Sequence, residues 1–352
     1  MNGTFLQEKY ASGLFCAALG VLKGDLLYPT IGTKTVFLEA FPPIANVDDI
    51  RSSQLYGRST EQFLRDILWP QLLSNQTQHG LVYTASILSI LPEGYDTNII
   101  NSRLFNYVFR EIISRKGEMI MAGDHSKSAK FDPTQAQKAV DFLKKAFHNY
   151  QLNAYSVMYG KPDLKTITTI NQIFDNAKIV VGVLNGDQKT KMTLDFSEGD
   201  GFLYFPSVSN GFSEKNGTMF DFISSLTAKG VVSHTFNIET LLKAPYTNTS
   251  WDGVKADYDQ LDTDFFENTP WLRPAALSDA ANNVKAYLRL KLAVYTTPTE
   301  INVNCDNFMR NQSFYLRTEK TIKEVKNGTF TKISDVFYEI NAASPDFSVV
   351  FQ

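Results

Sequence analysis

Cysteine is nearly absent from this sequence. Cys16 and Cys305 are the only two in 352 residues, which excludes a disulfide scaffold and every multi-cysteine zinc or iron–sulfur site. Charge is also scarce: Asp, Glu, Lys and Arg make up 20% of the chain, against roughly 25% in ordinary soluble domains. With a net charge of −3, nothing suggests an electrostatic attraction to nucleic acid or an anionic membrane. Long apolar runs are missing too. Ala11 to Leu22 is interrupted by Gly13 and Gly20 and falls short of a membrane span, and no basic leader or small-residue cleavage pattern frames it as a signal peptide.

Nucleotide and hydrolase signatures are lacking. There is no GxxxxGK[ST] or GxGxxG turn to place backbone N–H groups on phosphate, no GxSxG elbow and no HExxH helix. Gly199-Asp200-Gly201 is read as a turn between strands. Six glycosylation sequons occur, at Asn2, Asn75, Asn216, Asn248, Asn311 and Asn327, in a chain rich enough in Asn, Ser and Thr to produce them by coincidence. No cofactor is expected.

What is present is aromatic surface: 26 Phe and 16 Tyr, with 43% hydrophobic residues overall, enough for a large core. The pattern predicts an α+β chain, with a mainly helical region over 1–160 and a mixed region over 161–352 containing a β-meander, a long helix at 274–294 and a β-rich tail. Ser59 and Gln62 form a capping box opening a helix that Pro70 should stop or kink. Leu81 to Leu91 reads as β. Ile100, Leu104, Tyr107, Val108 and Ile112 recur at helical spacing, with Gly117 expected as the C′ residue. Asp132, Pro133 and Gln135 open another amphipathic helix. Beyond 160, Ala177 to Leu184, a hairpin turn at Asn185-Gly186, Met192 to Phe196 and Phe202 to Phe205 suggest the meander.

Candidate chemistry is sparse. His79, His125, His148 and His234 are scattered, with no short ligand spacing. Asp124-His125, after apolar Met119 to Met121, sits where a strand end could present a base and its carboxylate partner. Asp257, Asp259, Asp262, Asp264 and Glu267 concentrate oxygen ligands as a weak candidate metal site, without the glycine or spacing of a calcium loop. Trp251 and Trp271 flank that acidic segment, a combination suited to a sugar cleft.

Interfaces between subunits are depleted in charge and enriched in aromatics. Composition therefore favours a non-enzymatic structural subunit, a virus or bacteriophage component such as a capsid, connector or tail ring. Its partners would be copies of itself and other subunits of the particle, assembled in the host cytoplasm, without nucleic acid or membrane. Two alternatives remain: a hydrolase with a histidine/carboxylate site near Asp124-His125, and a secreted carbohydrate-binding or surface protein using Trp251 and Trp271.

Overall fold

The computed structural model describes residues 11–22, 24–42, 49–88, 102–125, 131–146, 150–160, 163–174, 178–182, 196–199, 201–212, 218–242 and 251–352. The mixed α+β class holds. Helix α1 (Ala11–Gly20) is followed by β1 (Leu26–Thr30), which joins the C-terminal part of the molecule, and by β2 (Thr33–Glu39), which opens the main sheet. From there helices and strands alternate: α2 (Asp49–Tyr56), α3 (Thr60–Phe63), α4 (Trp69–His79), β3 (Tyr83–Leu88), α5 (Ser102–Ser114), β4 (Glu118–His125), α6 (Pro133–Ala146), β5 (Ala154–Gly160), α7 (Leu164–Ile173) and β6 (Ile179–Gly182). The series ends with β7 (Ser197–Gly199), β8 (Phe202–Pro206), β9 (Ser209–Asn210), α8 (Thr218–Lys229), β10 (Val231–Asn237) and α9 (Trp251–Asp262).

Pairing along β10, β2, β3, β4, β5, β6 and β8 is parallel throughout. The sheet closes on itself, because β8 and β9 are one extended segment: β8 pairs β6 while β9 pairs β10. At the seam Ser207 N–H donates to the Gly182 carbonyl at 2.7 Å and Val208 N–H to the Ser233 carbonyl at 2.9 Å. The result is a parallel β/α barrel whose strands follow one another in chain order, as in eight-stranded β/α barrels but with seven strand positions among the described residues.

The first 160 residues are helix-rich, as expected, but four barrel strands lie among the helices. One expectation gives way here. The middle is not a meander, because β6 and β8 pair in parallel; the Asn185-Gly186 turn lies outside the described residues. Barrel strands are short and covered by helices, so they read as brief apolar runs without alternation and yield to the longer helical patterns around them.

Local signals mostly hold. The Ser59–Gln62 capping box forms, but Pro70 does not end its helix. A wide π turn at Leu64–Leu68 leads into α4, which places Pro70 in its first turn, where the missing N–H costs nothing. After α5 the left-handed residue is Lys116 (φ 64°) rather than Gly117. Gly117 is needed for space instead: a Cβ there would stand 2.5 Å from the Tyr83 carbonyl oxygen.

Past β11 (Arg273–Pro274), which pairs with β2, helix α10 (Leu277–Arg289) closes the N-terminal end of the barrel. Leu277, Ala280, Ala281 and Val284 pack with the inward-facing Phe37, Ile120, Ala154 and Val231. Its first turn is tied down by Glu118, which accepts the Ser278 N–H at 2.8 Å and the Ser278 hydroxyl at 2.6 Å, while Leu277 N–H donates to Thr84 Oγ1 at 3.0 Å. A carboxylate at a helix N-terminus satisfies orphan donors and favours the dipole.

The tail forms a sandwich. One sheet runs β1-β14-β17-β16 and the other β12-β13-β18-β15, comprising β12 (Lys291–Thr296), β13 (Glu300–Asp306), β14 (Gln312–Arg317), β15 (Ile322–Lys326), β16 (Gly328–Lys332), β17 (Phe337–Ala342) and β18 (Asp346–Phe351). Ile301, Phe314, Leu316, Ile340, Phe347 and Val349 fill the space between the sheets. Arg273 fixes this unit to the barrel, donating to the Gly32 carbonyl and to Ser313 Oγ.

Candidate active site at the C-terminal mouth of the barrel

Alternate residues of the barrel strands face inward. The inward faces mix apolar residues, Phe37, Ile120, Ala154, Val181 and Val231, with buried polar ones, Thr33, Thr84 and Glu118 at the strand starts. A second polar group lies at the C-terminal ends. Glu39 ends β2, in register with Asn237 of β10 on one side and Ser86 of β3 on the other. Ser156 of β5 donates its hydroxyl to Glu39 Oε1 at 2.9 Å. All four are buried, and Glu39 is 0% exposed. A carboxylate is not placed at the heart of a barrel by the hydrophobic effect, which disfavours it by several kcal/mol unless polar groups surround it.

The backbone at this point is held in an uncommon conformation. Ala40, directly after Glu39, has φ 53°, and Phe41 N–H bonds back to the Ser86 carbonyl at 3.0 Å. A left-handed alanine costs on the order of 1–2 kcal/mol and recurs where the surroundings fix a functional group. Here it directly follows Glu39, the last residue of its strand.

Asp124 and His125, singled out from the sequence, are the last two residues of β4, also at this mouth, where the pairing with β5 slips so that Asp124 meets Tyr159 and His125 meets Gly160. The strand-end reading of this pair is therefore met by the backbone. Glu39 was missed, although a β-prone run Thr33 to Leu38 closed by a carboxylate and then Ala-Phe-Pro-Pro is a recognisable strand end.

The other candidates scatter. His234 is a closure residue: Nδ1 accepts from Ser209 Oγ at 2.8 Å and Nε2 donates to the Gly211 carbonyl at 2.8 Å, joining β9 to β10. Burial pushes its pKa down to about 4, so the ring is neutral. His148 lies outside the described residues. The acidic segment does not assemble a metal site, because it folds as α9 and the π turn Thr263–Glu267, which spreads its carboxylates around the helix. Asp259 pairs with Lys255, Asp264 accepts from Gln260 at 2.8 Å, and Asp262 faces His79 with Nε2 to Oδ2 at 2.6 Å. Burial raises the Asp262 pKa to about 7 and lowers that of His79, so both groups are shifted toward their neutral forms. Beside it, Lys34 donates to the Phe266 carbonyl at 3.3 Å. Neither tryptophan lines a sugar cleft: Trp251 is buried against Phe212 and Tyr258, and Trp271 donates to the Tyr315 hydroxyl at 3.1 Å.

The geometry thus defines a β/α-barrel protein with a polar mouth and a plugged base. The chain belongs to a bacterial family: the family described as an uncharacterised protein conserved in bacteria, DUF2194, matches residues 1–338. No curated protein matches it. Among solved structures it is similar to the endo-β1,6-glucanase BT3312, with 6% identity over 94% of this chain and 93% of that one and a TM-score of 0.34. It is also similar to a family 39 glycoside hydrolase from the gut symbiont Bacteroides cellulosilyticus WH2, with 10% identity, coverage of 98% and 78%, and a TM-score of 0.33. An N-acetylneuraminate lyase from Fusobacterium nucleatum shows 12% identity, coverage of 72% and 80%, and a TM-score of 0.30. Likenesses of this size establish no shared fold.

Membership of a family conserved in bacteria overturns the expectation of a virion subunit. The structure supplies the physical reason. Trp69, Tyr83, Tyr155, Tyr258, Phe37, Phe205 and Phe236 are fully buried within this one chain, so much of the aromatic content serves its own core.

Proposed function

We propose that the chain is a hydrolase whose reactive carboxylate is Glu39, acting at the C-terminal mouth of the barrel with the Asp124-His125 strand end beside it. The observation that carries this reading is a fully buried carboxylate at the C-terminal end of a barrel strand, bonded to Ser156 and followed by a left-handed alanine. In β/α barrels strand ends at this face carry catalysis, whereas the opposite face serves stability. Glu118, at that opposite face, is fully engaged with α10 and fits the structural role.

Chemically, Glu39 as general base takes a proton from a water molecule as the water oxygen bonds to the electrophilic centre of the substrate. The bond to the leaving group breaks, and that group recovers a proton from an acid at the mouth. The Ser156 hydroxyl, bonded to Oε1, holds the carboxylate in orientation. An imidazole, which can both accept and donate a proton, is the residue type suited to the acid–base partner at position 125. The test is hydrolysis of p-nitrophenyl esters, phosphates and glycosides by the full chain. Turnover of one class that is lost in Glu39→Gln and reduced in His125→Asn supports the reading; absence of turnover in all classes, or its persistence in Glu39→Gln, contradicts it.

A further inference from the structure

The outward face of the sandwich sheet β12-β13-β18-β15 carries a groove of about 250 Å³, remote in sequence from the barrel mouth and lined by Tyr295, Asn302, Asn304, Lys326, Asp346 and Ser348 with their neighbours. Its composition follows from register. Tyr295 pairs with Asn302, Asn302 with Ser348, and Ser348 with Lys326, so one row crosses all four strands. The next row sets Ala293 against Asn304 and Asn304 against Asp346. Alternation sends Ile301, Val303 and Cys305 into the core and their polar neighbours outward.

Three features distinguish this face from an ordinary solvated sheet. The Tyr295 ring is 67% exposed at one end of the row. The polar groups are pre-arranged: Asn304 donates to Asp346 Oδ1 at 2.5 Å, and Asn327, in a left-handed turn, donates to the Asp346 carbonyl at 2.9 Å. Lys326 reaches Glu300 Oε1 at 3.2 Å, and the Ser348 hydroxyl together with Lys326 holds the Glu300 carboxyl below the usual range. With adjacent strands roughly 4.8 Å apart, three steps separate Tyr295 from Lys326 by about 14 Å, room for more than one sugar ring.

We propose that this groove binds a neutral glycan. Amides both donate and accept, and carboxylates accept from paired hydroxyls, so the Asn302, Asn304 and Asp346 set matches a ligand dense in hydroxyl groups. The exposed ring offers an apolar face for a pyranose to lie against. Two carboxylates beside one lysine disfavour a polyanion, and the amide floor offers no pocket for an apolar peptide anchor. This site is independent of the barrel reading.

The experiment is native affinity electrophoresis of the full chain in gels cast with dextran, laminarin, xylan or mannan. Retardation by at least one polysaccharide is expected, with a loss of about tenfold in affinity for Tyr295→Ala and for Asn302→Ala. Both positions are exposed, so unchanged melting temperatures confirm intact folding. Phe330→Ala, an exposed aromatic on the other sheet, should migrate like the parent. Absence of retardation in every gel, or retardation unaffected by Tyr295→Ala, overturns the proposal.

Discussion

Glu118→Ala is the perturbation that tests how the barrel is closed. The Glu118 carboxylate accepts from Ser278 N–H at 2.8 Å, from the Ser278 hydroxyl at 2.6 Å and from Asn153 Nδ2 at 3.3 Å, and it is 6% exposed. Hydrogen bonds to a charged acceptor contribute about 1.5–3 kcal/mol each, and the two short ones dominate. Relief of carboxylate desolvation offsets part of that, while the Ser278 N–H is left without an acceptor at a helix start. The net loss is about 3 kcal/mol, which for a chain of this size lowers the melting temperature by about 5 °C. Glu118→Gln should fall between, because one amide hydrogen must face a donor. Urea unfolding followed by circular dichroism measures the loss, and a double-mutant cycle with Ser278→Ala should give a coupling of at least about 1 kcal/mol. A loss below about 0.5 kcal/mol, or additive single variants, would refute the clamp.

Two further outcomes follow from buried titratable groups. His234 has its folded pKa depressed to about 4, so the fold excludes its proton: stability is full above its ordinary value near 6.5 and is lost as pH falls toward 4, by about 3 kcal/mol. His234→Gln should flatten the stability profile between those pH values, and an unchanged slope would count against this assignment. Asp262 behaves oppositely. Its folded pKa is raised to about 7 by burial, so its contribution is full below its ordinary value near 4 and is lost as pH rises from there to about 7. The stability of the parent relative to Asp262→Asn should therefore fall between about pH 4 and pH 7 and level off above it; a difference that grows over that range would show the carboxylate to be the stabilised form.

Local signals were legible where one short segment decides the structure. The Ser59–Gln62 box, the Asp132 cap and the β-rich tail needed no distant partner to be read. The barrel was not legible, because closure depends on residues such as Ser207 and Val208 bonding to strands on both sides, a long-range arrangement with no local mark. Aromatic content misled for a related reason: composition reports how much apolar surface exists, not whether the chain buries it in itself. At the mouth, Asp124-His125 stood out because the dipeptide looks reactive, whereas Glu39 acquires its meaning only when Ser86, Ser156 and Asn237 are brought around it.

The central claim is that Glu39 is placed for chemistry and not for stability. The most direct measurement is kcat/KM for whichever chromogenic ester, phosphate or glycoside the chain hydrolyses, compared among the parent, Glu39→Gln and Ser156→Ala at equal folded fraction. The account predicts a loss of about 10³-fold or more in Glu39→Gln and a smaller one in Ser156→Ala, which orients the carboxylate. A Glu39→Gln variant retaining activity within about threefold of the parent would contradict it.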